Sequence, residues 1–239
     1  MLVISFWGGQ VICNAVIQHK IKVMVLIKSD FETKLGIVST YIESNHSECN
    51  FTDNEFSIKT SGHQISLEIF ELKNEWLPKH MQFEASTGWR WFISKINNQK
   101  EKLTINCELT NPTNSLKYYP DSGECLDAIK IENQINELHI GTEDTDAHMA
   151  RSKNNDWMPK RFEKLLGLNK QNGLNFTKYI PFGFETKVPE LLLNEQIYFH
   201  YLVATNTKNE IVNYSNEVDV STWFAVEQSK NKLDKYLEK

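Results

Sequence analysis

The chain has 239 residues, of which 40% are hydrophobic and 24% are charged, as in an ordinary globular protein. This composition excludes a collagen, a coiled-coil rod and a fully disordered chain. The net charge of -5, from 26 basic and 31 acidic residues, argues against a general nucleic-acid-binding protein, because such proteins need a basic surface.

Residues 1–17 are apolar but lack the pattern of a targeting segment. The first basic residue is Lys20, so the basic region that begins a signal peptide is missing. Gly8 and Gly9 interrupt the run, which is too short and broken for a membrane span. The four cysteines form no CxxC pair, which is typical of reduced thiols. We therefore expect two strands within residues 1–17, with a signal-like segment as the alternative, and we expect no membrane association and a cytoplasmic location.

The first 140 residues have the pattern of mostly antiparallel β-structure. Apolar runs rich in Val, Ile and aromatic residues alternate with polar or Gly/Pro turns, as in strands joined by hairpins. In one run, Ile65, Leu67 and Ile69 share a face. Residues 110–124 contain two prolines and predict a long loop. The predicted strands are 2–7, 11–17, 21–27, 35–42, 64–72, 89–96 and 102–109.

Helical patterns follow after residue 140. The predicted elements are a helix over 143–150 capped by Thr142, a helix over 157–166 capped by Asp156, a strand pair at 196–205 and 210–214, and a C-terminal helix to about 237 capped by Ser221 or Thr222. This order predicts an α+β fold whose N-terminal part is sandwich-like or a strongly curved sheet. The length fits either a mostly β region 1–150 with an α+β region 151–239 packed on it, or one continuous domain.

Three residues around the first predicted helix have the chemistry of metal ligands. His139, Asp144 and His148 supply imidazole and carboxylate groups, which bind divalent metal ions. Asp144 and His148 are four residues apart and would share one helix face. The alternatives are an acidic first turn that complements the helix dipole and a surface that contacts a partner. We therefore expect no cofactor, except a divalent metal if the protein is an enzyme.

A second candidate set consists of Asp53, Glu71 and Lys73. These residues match the short D…(D/E)xK pattern of restriction-type nucleases, in which two carboxylates hold Mg²⁺ and the lysine positions the attacking water. Residues 32–34 and 185–187 also fit the E-x-K part, as chance predicts. The set is therefore a candidate catalytic site that rests on a common pattern.

Aromatic residues suggest a third kind of site. Trp89 and Trp91 would lie on one face of a strand. If exposed, they could stack on a sugar or a base, and if buried, they belong to the core. His200 lies in an aromatic run and is either a third ligand-binding residue or a hydrogen-bonded core histidine.

The sequence contains no phosphate loop, GxGxxG, HExxH, GxSxG or kinase motif. We therefore expect a non-catalytic protein-binding module, either an immunity or antitoxin-like protein or an accessory protein of bacterial defence, whose partner is another protein. The alternatives are a metal-dependent hydrolase, with a nuclease as its leading version, and a ligand-binding β-sandwich. Nucleic acid is expected as a partner only if the protein is a nuclease.

Overall fold

The computed structural model describes residues 15–16, 23–45, 49–51, 56–73, 75, 77, 83–113, 115–123, 126–172, 176–208 and 217–237. These residues form mostly antiparallel β-structure with three helices, the last of them at the C-terminal end. The predicted α+β class is therefore confirmed. The predicted strand 2–7, most of 11–17 and the candidate residue Asp53 lie outside the described residues.

The described strands are β1 (Ala15–Val16), β2 (Val23–Thr33), β3 (Gly36–Ser44), β4 (Cys49–Phe51), β5 (Ser57–Thr60), β6 (His63–Phe70), β7 (Ala85–Lys95), β8 (Leu103–Thr110), β9 (Lys117–Gly123), β10 (Leu126–Glu132), β11 (Asn136–Glu143), β12 (Thr177–Ile180), β13 (Gly183–Lys187) and β14 (Gln196–Thr207). A six-stranded sheet has the order β1-β2-β3-β8-β13-β12, and an eight-stranded sheet has the order β4-β5-β6-β7-β14-β11-β10-β9. The pairings that the structure describes are antiparallel.

Side chains from both sheets form one hydrophobic core. In the larger sheet Ile65 of β6 lies opposite Ile93 of β7, and in the smaller sheet Ile42 of β3 lies opposite Ile105 of β8. All four side chains are fully buried and belong to the same cluster. The apolar residues that alternation places inward in the two sheets therefore contribute to one shared cluster.

Strand β14 holds the larger sheet together. It lies between β7 and β11, and both of its edges are occupied by these neighbours. Nine consecutive residues of β14 are buried, which requires cover on both faces of the sheet. The predicted partner segment, 210–214, lies outside the described residues. Because β13 pairs with β8 and β14 pairs with β7, strands from both halves of the chain share both sheets.

The helices are α1 (Thr145–Asn154), α2 (Phe162–Asn172) and α3 (Glu217–Leu237). The predicted cap of α1, Thr142, instead remains in β11, where its hydroxyl donates to the backbone carbonyl of His200 at 2.8 Å. The N-cap is Asp144, whose carboxylate accepts from a backbone N–H of the first turn. None of the described helices has the length and apolar composition that crossing a bilayer requires.

The starts of the other two helices also differ from prediction. Helix α2 begins at Phe162 instead of at residue 157. Trp157 has a left-handed backbone with φ of 44°, and Pro159 disfavours helical geometry in the residue before it. Helix α3 begins at Glu217, so the predicted caps Ser221 and Thr222 lie inside the helix.

The predicted loop over 110–124 contains strand β9. Its Pro120 lacks the backbone N–H that a central strand needs. Within the described residues β10 is the single neighbour of β9, so the proline is tolerated at a sheet edge. The prolines that predicted a loop are therefore compatible with an edge strand.

Candidate functional site

The nuclease-like candidate residues that the structure describes lie at the surface. Glu71 and Lys73 follow the end of β6, and both are exposed. The Lys73 ammonium lies 3.8 Å from a carboxylate oxygen of Glu75. Since Asp53 lies outside the described residues, the arrangement of all three stays a prediction.

The three candidate metal ligands have different surroundings. The Nδ1 atom of His139 lies 2.7 Å from the hydroxyl of Thr222 in α3. Asp144 caps α1, and the Nε2 atom of the buried His148 lies 3.6 Å from Oε2 of Glu143. Over the part of the chain that the structure describes, no group of three or more His, Cys, Asp or Glu side chains is placed to hold a metal ion.

The tryptophan pair is part of the core. Trp89 is 1% exposed and Trp91 is 0% exposed. The indole N–H of Trp89 donates to the Ser29 hydroxyl at 3.0 Å, and that of Trp91 donates to the Thr40 hydroxyl at 2.9 Å. Because Ser29 and Thr40 belong to the smaller sheet, these bonds join the two sheets. Neither ring presents a face to solvent, so the pair does not form the exposed stacking platform that one interpretation required.

His200 belongs to a buried ionic centre around Glu143. The Arg151 guanidinium donates to both carboxylate oxygens of Glu143, at 2.7 and 2.9 Å, and lies 3.3 Å from the ring centroid of Tyr198. The ring nitrogens of His148 and His200 each approach the same carboxylate to 3.6 Å. Burial raises the pKa of Glu143, but the charge of Arg151 and the two histidines outweigh it and hold the pKa well below its usual range.

This ionic centre is closed to solvent and ties the segment after α1 to the larger sheet. Besides its bonds to Glu143, Arg151 donates to the backbone carbonyls of Asp156, Trp157 and Tyr198. All the ionic groups in it are buried, so a ligand has no path to them in this structure. We assign the centre a structural role.

An open cleft lies where the same ends of the two sheets meet. In the larger sheet His63 lies opposite Lys95, and in the smaller sheet Thr104 lies opposite Lys187. The cleft has a volume of about 690 Å³, within the usual range for small-molecule sites. We call it the lysine cleft, and its lining residues are Asn45, His63, Lys95, Asn98, Lys100, Glu101, Lys102, Leu103, Thr104, Lys187, Val188, Glu190, Leu191, Leu192 and Leu193.

A buried carboxylate–imidazole pair lies in the wall of the lysine cleft. The Glu101 side chain is 0% exposed, and its Oε2 atom lies 2.8 Å from Nδ1 of His63. The same carboxylate accepts from the hydroxyls of Thr60 and Ser44, both at 2.5 Å, and from the backbone N–H of Gly62 at 3.2 Å. Four donors therefore converge on one carboxylate, which matches the acceptor capacity of an ionised group.

These donors keep Glu101 ionised. Burial alone would raise the pKa of Glu101, but the hydrogen bonds from His63, Ser44 and Thr60 outweigh it and lower the pKa to about 2. An ionised carboxylate only accepts, so Nδ1 of His63 is the donor in their hydrogen bond. The hydrogen bond to Glu101 fixes the orientation of the His63 ring, which lines the cleft.

The lining of the lysine cleft is positively charged, although the whole chain has a net charge of -5. Four lysines and two glutamates line it, and Glu101 lies buried behind His63. Lys100, Lys102 and Lys187 are exposed, whereas Lys95 is buried and its ammonium donates to the backbone carbonyl of Gln99 at 2.5 Å. Several ammonium groups around one concavity attract a negatively charged ligand.

Sequence reasoning missed this site because its members are far apart in the chain. His63 lies in a short polar segment, residues 61–63, that matches no catalytic motif by itself, and Glu101 follows a short polar loop. One signal was available, since three lysines occur within residues 95–102. The pairing of β6 with β7 brings that segment beside His63.

The fold and the cleft thus define an α+β protein with two antiparallel sheets and a cationic cleft at one end. Comparison of the chain with protein-family models, with curated proteins and with solved structures finds no significant match.

Proposed function

We propose that the protein binds a ligand with a phosphate or carboxylate group in the lysine cleft. The observation that carries this proposal is the convergence of Lys100, Lys102 and Lys187 on one concave site in an acidic protein. Lysine is a compact cation that recognises phosphate as a point charge. The low dielectric of the packed wall strengthens this attraction relative to an open surface.

His63 adds a directional contact to the charge of the lysines. With Nδ1 bonded to Glu101, Nε2 is the ring nitrogen that remains for a hydrogen bond with a ligand oxygen. The apolar wall, formed by Leu103, Val188 and Leu191, suits a ligand that also has an apolar part.

This proposal keeps one of the functions considered from the sequence but moves its site. The two packed sheets suit a β-sandwich that binds a ligand at one end, where turns and loops carry the binding residues. The binding residues proposed here are the lysines and His63, in place of Trp89, Trp91 and His200, which are buried.

Calorimetric titration with inorganic phosphate tests the proposal. Lys102→Gln and Lys187→Gln should each weaken binding roughly tenfold, because each removes a charged hydrogen-bond donor. Lys73→Gln is the matched control, since Lys73 is an exposed lysine beyond the opposite end of β6. Absence of binding by the wild-type protein, or equal affinities in all three variants, would reject the proposal.

A second candidate function, the protein-binding module, is favoured by the edge strand β9. Tyr118 and Tyr119 are exposed on this strand, and an edge strand can pair with an added strand of a partner. Affinity purification from the native host, with wild-type protein and Tyr119→Lys, tests it. A stoichiometric partner that the variant loses would support this function, whereas a partner retained equally by both proteins would speak against the β9 edge.

A further inference from the structure

Two adjacent leucines protrude at the rim of the lysine cleft. Leu192 is 59% exposed and Leu193 is 46% exposed, in the turn between β13 and β14. The backbone N–H of Leu192 donates to the Glu195 carboxylate at 2.7 Å, and the Leu192 carbonyl accepts from the Glu195 N–H at 2.9 Å. Asn194 has a left-handed backbone with φ of 67°. The turn is therefore well defined, and it holds both leucines outward.

A third apolar side chain lies at the same end of the molecule. Ile96 is exposed and directly follows Lys95, whose backbone N–H and carbonyl pair with Glu195 and Asn194 at 2.9 and 3.0 Å. Two neighbouring segments thus carry exposed aliphatic residues together. Such a cluster marks a surface that binds an apolar or amphipathic partner.

The exposed leucines and the lysines surround the same opening. Leu192, Leu193, Lys100, Lys102 and Lys187 all line the lysine cleft. A partner must therefore present negative charge and an apolar layer a short distance beyond it. A membrane with anionic phospholipids has this arrangement, with phosphates at the surface and acyl chains beneath them.

The chemistry of this end fits a membrane better than other large anions. A nucleic acid offers bases for aromatic stacking, and the leucines and isoleucine at the rim provide no aromatic ring. A dissolved phosphate would occupy the lysines but leave Leu192 and Leu193 in water.

We infer that this end of the protein docks on membranes that contain anionic phospholipids, with a headgroup phosphate in the lysine cleft and Leu192 and Leu193 inserted among the lipids at the interface. This inference rests on the proposed function, because it assigns the source of the anion that the cleft binds. The inference concerns peripheral binding to a membrane surface. From the sequence we expected no membrane association, so the inference departs from that expectation.

Vesicle co-sedimentation tests the inference. The probes are vesicles of phosphatidylcholine alone and vesicles of phosphatidylcholine with about 30% phosphatidylserine. Phosphatidylserine is anionic and gives the vesicle surface a negative charge that attracts basic patches. The wild-type protein should bind the anionic vesicles and not the neutral ones. Lys102→Gln should weaken this binding about fivefold, and Leu192→Ser should weaken it at least about tenfold.

Ile135→Ser is the matched control for Leu192→Ser. Ile135 is 58% exposed, close to the 59% of Leu192. It lies in the turn before β11, whose first residue, Asn136, is opposite Thr207 at the far end of β14. This variant should bind anionic vesicles as the wild type does.

The outcomes separate the inference from the proposed function. Loss of vesicle binding in Leu192→Ser but not in Ile135→Ser supports the inference. Phosphate binding without vesicle binding overturns the inference and leaves the proposed function standing. Equal vesicle binding by Leu192→Ser and wild type also overturns it, because the leucines then have no part. If neither phosphate nor vesicles bind, both are rejected.

Discussion

Replacing Glu101 by glutamine should destabilise the folded protein at neutral pH, and the loss should shrink in acid. Glutamine keeps the size of the side chain but removes the charge that accepts hydrogen bonds from His63, Ser44 and Thr60. The prediction thus tests whether the wall of the lysine cleft is organised around an ionised carboxylate.

The magnitude follows from the lowered pKa of Glu101. A decrease from 4.5 to about 2 corresponds to about 3 kcal/mol of folding free energy at pH 7, at about 1.36 kcal/mol per pKa unit. Because the folded-state pKa is lowered, this contribution is fully present above the unfolded pKa and is lost as the pH falls through the folded pKa. By pH 3 roughly 1.4 kcal/mol should remain.

Urea denaturation at about pH 7, 5, 4 and 3 measures the difference in the free energy of unfolding between wild type and Glu101→Gln. Glu71→Gln is the control, since Glu71 is exposed and its replacement should change stability by less than about 0.5 kcal/mol at any pH. A gap between wild type and Glu101→Gln that is absent at neutral pH, or that stays constant down to pH 3, would refute the reasoning.

Three further predictions concern stability. Arg151→Met should destabilise the protein by about 3–5 kcal/mol in urea denaturation, because it leaves the buried Glu143 carboxylate without its main partner. A loss below about 1 kcal/mol, the average for point mutations, would contradict this. Gly183→Ala should lower the free energy of unfolding by at least about 1–3 kcal/mol in urea denaturation, because the new Cβ would overlap the backbone carbonyl oxygen of Cys107. Asp144→Ala should lower the free energy of unfolding by about 1 kcal/mol through loss of the α1 cap, and a simultaneous loss of bound metal in elemental analysis would favour the metal interpretation instead.

Periodicity predicted most of the described core but not every element. The alternation at 65 and 67 places both side chains inward, as expected, since a half-buried strand must separate its two faces. Ile69, the third residue expected on that face, is exposed near the end of the strand. The same reasoning failed for β9, because Pro120 signals a break in a central strand but is tolerated at an edge. Whether a strand is central or at an edge depends on long-range pairing, which a local pattern does not contain.

The accuracy of the predicted helix starts was limited for two reasons. Neighbouring residues compete as caps, and tertiary contacts fix the backbone geometry. Thr142 and Asp144 are both good caps, and the choice between them depends on how far β11 pairs with β14. At α2, the left-handed Trp157 is held by tertiary contacts, including the bond from Arg151 to its carbonyl. Other contacts of Trp157 come from distant strands, since the backbone N–H of Tyr198 donates to its carbonyl at 3.3 Å and the Phe92 ring lies 5.1 Å from its ring. The sequence near residue 157 therefore favoured a helix that tertiary structure excludes.

The local pattern of acidic residues and histidines pointed to the centre around Glu143 and missed the similar centre around Glu101. The two centres differ in their accessibility to a ligand. Glu143 and His148 are close in sequence and meet in space, but Arg151 and the core enclose them. Glu101 and His63 are far apart in sequence, yet their pair faces a cleft that a ligand can enter. Both centres consist of a carboxylate held ionised by its neighbours, so their chemistry alone does not distinguish a structural centre from a binding one. The two centres differ in what covers them. Helix α1 and the segment after it close the centre around Glu143, whereas the ends of the two sheets leave the centre around Glu101 open.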